Sequence, residues 1–132
     1  MPKDKRGGRI VNPQYKTVDM VDGVKVITHK AGGSMSLPKE AGKSKMYILE
    51  NLVGERKKIG IYDSKGNIEK EIHFDKGHKN RYPDGTVEKL KMGVAHVHEP
   101  KGGWGSYARY MTAQEIQQYG ALVIKLGGKV SE

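Results

Sequence analysis

No cysteine occurs anywhere in the 132 residues. That excludes disulfide bonds, thiolate metal centres and a cysteine nucleophile. Phenylalanine and tryptophan occur once each. The core must therefore come from aliphatic residues and tyrosine, whose hydroxyl needs a polar partner. No run approaches the ~18 apolar residues that span a bilayer. The N-terminus, "MPKDKRGGRIVNPQYK", has no apolar centre of the kind found in signal peptides. Acidic residues are also short: 15 Asp and Glu stand against 24 Lys and Arg, a formal charge of +9. Such an excess favours a polyanionic partner, above all nucleic acid, and the missing apolar run leaves no membrane partner expected.

A chain of this length can bury one modest core. Residues 1–12 read as a flexible basic arm and residues 13–132 as one globular domain. Asp22-Gly23 is a hairpin signal between the β-prone runs around "VDM" and "VKVIT". In "KSKMYILENLVG", Met46, Leu49, Leu52 and Val53 recur at helical spacing before Gly54, which predicts a short helix near 44–53. A buried strand at "MYIL" competes with it. The hairpin signal is clearest in "KKIGIYDSKGNIEKEIHFD", residues 57–75. Ile59 and Ile61 alternate before the turn, and Ile68, Ile72 and Phe74 after it. A further strand is expected over 88–98. Thr112 with Glu115 three residues later makes a capping box for a helix over 113–126, which Gly127 and Gly128 end. The expected fold is α+β: a small antiparallel sheet with hairpin 58–74 and strand 88–98, packed by the two helices.

Four of the five histidines fall in "EIHFDKGHKNRYPDGTVEKLKMGVAHVHE", residues 71–99. His96 and His98 share one face of a strand, and His73 and Asp75 share one face of another. His78 follows in a loop. Histidine is the side chain best suited to proton transfer near neutral pH. Two chemistries suit such a set. In the first, one imidazole takes the 2′-OH proton of RNA, a second protonates the leaving oxygen, and Lys or Arg steadies the phosphorane. In the second, His73, Asp75, His78, His96, His98 and Glu99 serve as metal ligands. The cationic surplus suits an oxyanion better than a metal ion, so the metal-free reading is adopted, with no cofactor and no metal ligand expected. His96, His98, His73 and Asp75 are then the candidate catalytic residues. His78, Lys79, Arg81, Lys101, Trp104, Tyr107 and Arg109 are the candidates for substrate binding. The bland alternative is a polar strand surface that happens to carry histidine. An antiparallel pairing of two continuous strands would also leave His73 far from His98.

The segment from "KIGIYDSKGNIEKEIHFDKGH" to "GVAHVHE", residues 58–99, resembles the toxin domains of bacterial polymorphic toxin systems, in particular the type 24 family. Related domains also occur as cargo in phage-like structures. The resemblance implies a nuclease-type toxin acting in the cytoplasm, with RNA as substrate and a cognate immunity protein as partner. Carried over by position, it points to His73, Asp75, His78, His96 and His98. A second function class stays open: a non-catalytic phage or mobile-element protein that binds nucleic acid or blocks a host defence factor.

Overall fold

A computed structural model describes residues 15–29, 36–39, 41, 45–99 and 107–131. The expected basic arm, Lys101 and Trp104 lie outside those residues. The chain divides into two compact units, Met1–Glu71 and Ile72–Glu132.

Among the described residues, the first unit is built on five sheet strands in sequential order: β1 (Tyr15–Val21), β2 (Val24–His29), β3 (Met46–Glu50), β4 (Arg56–Tyr62) and β5 (Ile68–His73), the last of which carries the chain into the second unit. β1 and β2 form an antiparallel hairpin. Its turn is made by Asp22 and Gly23, both at positive φ (51° and 78°), so the strands twist together without splaying. β4 and β5 flank a turn in which Asp63 Oδ1 accepts hydrogen bonds from Lys65 N and Asn67 N, as the sequence predicts.

The helix expected near 44–53 is a strand. β3 pairs in parallel with β2 and antiparallel with β4. Tyr47, Ile48 and Leu49 are buried in succession, whereas Leu52 and Val53 are exposed. A strand covered on both faces reads as a continuous apolar run, and the helical spacing of Leu52 and Val53 was fortuitous. Asn51 Oδ1 ends the strand by accepting from Val53 N and Glu55 N in the following turn. Tyrosine fills the place of phenylalanine here. Tyr15, Tyr47 and Tyr62 pack with Ile27, Leu37, Ala41 and Leu49. Their hydroxyls donate to the carbonyls of Ser36, Ala41 and Pro38 respectively, which pins the described part of the segment before β3.

In the second unit, β8 (His96–His98) lies beside β5, and β9 (Arg109–Tyr110) pairs antiparallel with β8. β6 (His78–Arg81) and β7 (Val87–Leu90) form a separate two-stranded hairpin. The sheet is therefore larger than the small one expected, and its β2–β3 pairing is parallel. The strand expected over 88–98 is interrupted: Gly93 takes a positive φ of 83°, and the chain turns between Leu90 and Val94. α1 (Ala113–Lys125) starts at the expected capping box, with Thr112 Oγ1 accepting from Glu115 N and Glu115 Oε1 accepting from Thr112 N. It ends in a Schellman motif. Gly127, at φ 95°, donates to Ile124 O, and Gly128 N donates to Val123 O. The chain then bridges back: Ala95 N donates to Lys129 O, and Lys129 N to Gly93 O. Among the described residues no helix is long and apolar enough to cross a membrane.

This return path leaves no room at Gly128. A Cβ there would sit 2.6 Å from Phe74 Cδ2 and 2.8 Å from Val123 Cγ1. Both neighbours are fully packed. Gly128→Ala is expected to destabilise the protein by about 1–3 kcal/mol through overpacking, read as a lower urea midpoint. A wild-type midpoint would show that the C-terminal segment does not pack on Phe74.

Candidate functional site

The site begins where β5 ends. His73 is its last residue, and Phe74 is buried behind it. The chain then leaves on a closed excursion. At Gly77 a Cβ would meet the Leu90 carbonyl oxygen at 2.8 Å, so the outgoing and returning backbones touch there. His78 pairs with Leu90, Lys79 with Lys89, Asn80 with Glu88 and Arg81 with Val87. The turn at the far end is closed by Tyr82 N to Thr86 O (3.0 Å), with Gly85 at φ 90°. A hairpin returns its chain to where it started. The break after Leu90 then redirects the backbone into β8, which carries His96 and His98 on one face.

Four imidazoles meet as a result. The His73 ring centroid lies 4.5 Å from that of His98 and 5.8 Å from that of His96. His78 lies 5.1 Å from His98 and stacks on His96 at 5.9 Å. His96 and His98 are 5.1 Å apart. The break in strand 88–98 removes the separation that a continuous antiparallel pairing would have imposed on His73 and His98.

The four are not equivalent. His96 is only 2% exposed, whereas His73, His78 and His98 are half-buried. Burial, and next to it the neighbouring His73, push the His96 imidazole down from its ordinary value to about 4, and Asp75 pulls it weakly the other way. His96 is therefore neutral at pH 7. Its Nδ1 faces the Val94 carbonyl at 3.4 Å. A proton on Nδ1 would leave the Nε2 lone pair free.

The surrounding polar groups have separate work. Asn80, 1% exposed, binds Ala108 in both directions, Nδ2 to Ala108 O at 2.7 Å and Ala108 N to Oδ1 at 2.9 Å. It ties the hairpin to the strand that flanks β8. Lys91 N donates to Tyr110 Oη at 3.0 Å. Arg109, a substrate-binding candidate, forms a bidentate pair with the buried Glu115 (2.7 and 2.9 Å) and a further contact with Glu99. Its guanidinium neutralises the carboxylate that also caps α1. Lys79 and Arg81 are exposed, and the pairing register places them on the same face of the hairpin as Lys89. Tyr107 is exposed, with its ring 4.4 Å from that of Tyr82. His29 belongs to the first unit and packs edge-on against Tyr15. Sequence reasoning missed Asn80 and Lys89. For Lys89 a signal was available, because the turn "YPDGT" predicts which residues face each other across it.

Among the described residues, the second unit is thus a β-rich fold with one helix that carries a histidine cluster over a buried strand. Comparison with protein-family models, with curated proteins and with solved structures finds no match to the chain.

The neutral state of His96 makes folding sensitive to acid. In the unfolded chain its proton affinity returns to the ordinary value of 6.5, so below that pH the unfolded state binds a proton that the folded state refuses. The stability contribution is complete above pH 6.5 and is lost as pH falls toward about 4. Urea midpoints measured in EDTA across that window are expected to fall in the wild type and to fall less steeply in His96→Leu. Equal slopes would show that His96 is not held neutral by burial.

Proposed function

We propose that the second unit is a small nuclease-type toxin domain that cleaves RNA by histidine acid–base chemistry. The observation that supports this reading is the convergence of His73 and His98, ring centroids 4.5 Å apart and both partly open to solvent, over the buried His96. Two imidazoles at that separation can serve opposite ends of one phosphodiester. One removes the proton of the 2′-OH as its oxygen attacks the adjacent phosphorus. The other donates a proton to the 5′ oxygen as the P–O bond breaks, leaving a 2′,3′-cyclic phosphate and a 5′-OH. His96 is too deeply placed to meet the substrate and acts as a positioning residue for the pair.

The hairpin β6–β7 supports the choice of a polyanion. Lys79 and Lys89 face each other directly across the strands, with Arg81 on the same exposed face. Like charges opposite one another destabilise a sheet. A phosphate backbone lying along that face relieves the repulsion. The exposed Tyr107, its ring tilted against that of Tyr82, offers a ring for a base. RNA is the partner on this reading, a cognate immunity protein would block the same surface, and the cytoplasm is the place of action. The same basic face favours one second reading, a non-catalytic binder of nucleic acid from a phage or mobile element.

Purified protein incubated with total RNA in EDTA separates the two. Wild type is expected to cleave, and His73→Ala/His98→Ala to lose at least about 10²–10⁴-fold in rate, the value of one general acid or base. His29→Ala is expected to match wild type. A double variant that is folded and fully active would remove the site from the reaction. Binding of RNA without cleavage would favour the second reading. Separately, Lys79→Ala/Lys89→Ala is expected to lower the slope of log affinity against log salt by about 2, one per cation removed.

A further inference from the structure

We propose that His73, His96 and His98 form a binding site for a divalent transition-metal ion of the zinc class. One ligand nitrogen from each of the three lies within 4.8 Å of the other two. An ion at the middle of a triangle no larger than that sits at most about 2.8 Å from each nitrogen, against about 2.0–2.1 Å for a Zn–N bond. Small side-chain rotations, of well under an ångström at the ring tips, close the difference. No movement of β5 or β8 is required.

The donor set selects the ion class. Three imidazoles and no carboxylate suit zinc, cobalt, nickel or copper, and not magnesium or calcium, which take oxygen ligands. Three protein ligands also leave a fourth tetrahedral position open, the arrangement of zinc sites that exchange a water or substrate group. The surroundings fit as well. His96 enters from the buried side with its Nδ1 toward the Val94 carbonyl, the outer contact that orients a ligating imidazole. Val94, Ala95 and Val97, buried beside it, hold the backbone of β8. His73 and His98 come from the half-buried side, which leaves the ion a way in. His78, stacked on His96, is outside the triad.

This site shares its histidines with the proposed reaction, yet it stands without that reaction, because binding is read on protein alone. If both hold, they compete: lone pairs given to an ion are unavailable for proton transfer, so the ion switches cleavage off.

The test uses the full chain, freed of metal by chelator and titrated with Zn²⁺ by calorimetry. Cobalt(II) serves as an optical probe of four-coordinate geometry. One equivalent of Zn²⁺ is expected to bind. His73→Ala and His98→Ala are each expected to weaken binding by more than about 100-fold, beyond the 10–100-fold cost of losing an outer contact, while His29→Ala leaves it unchanged. Circular dichroism of the two half-buried variants checks that they remain folded. No stoichiometric binding, or unchanged binding in both variants, overturns the site and leaves the nuclease proposal intact. Equimolar Zn²⁺ is further expected to stop RNA cleavage and EDTA to restore it. Cleavage that instead requires Zn²⁺ and fails in EDTA upholds the site and overturns its inhibitory role together with the metal-free mechanism.

Discussion

The histidine cluster depends on one constraint: the backbone between His73 and His96 leaves β5 and returns to it. The hairpin β6–β7 performs the excursion, and its base is closed where Gly77 passes the Leu90 carbonyl and His78 pairs with Leu90. Without that closure the two ends of the excursion separate and the imidazoles have no reason to meet. The hairpin also has to be held against the rest of the second unit. Asn80 does this by presenting an amide that mimics a backbone bridge to Ala108. Two strong, buried hydrogen bonds tie the hairpin to the residue that precedes β9, and an unmet partner on either side would be costly.

Burial grades the cluster from inside to outside. The chain through β8 is buried on both faces at Ala95, His96 and Val97, and emerges at His98 and, just past the strand, Glu99. The innermost imidazole is kept neutral by desolvation, and the outer three retain access to water. A set of identical side chains thereby acquires different roles from position alone. The pair of Arg109 with Glu115 serves the same end indirectly. It satisfies a buried carboxylate, caps α1, and anchors the strand that flanks β8.

Several elements were legible from the residues. The turns at Asp22-Gly23 and Asp63–Asn67, and the capping box at Thr112 and Glu115, are local chemistry, so their signals survive folding. β3 was misread because a strand buried on both faces loses its period of two and borrows apparent helical spacing from the exposed Leu52 and Val53. The break at Gly93 was hidden because Leu90, Met92 and Val94 alternate as a strand would, yet Met92 is exposed in the turn. That error mattered most, since a continuous strand would have kept His73 from His98. The residue types of the candidate site were visible in the sequence. Their convergence was not, because it rests on long-range pairing and on Asn80, whose partner lies 28 residues away.

The central claim is that imidazoles from β5, β6 and β8 share one site, and proton NMR on histidine-labelled protein in EDTA tests it most directly. Nuclear Overhauser contacts between the ring protons of His73 and His98, and between His78 and both His96 and His98, are expected from centroid separations of 4.5 to 5.9 Å. The His29 ring is expected to show contacts to Tyr15 instead. A folded protein in which His73 shows no contact to His98 or His96 would contradict the account.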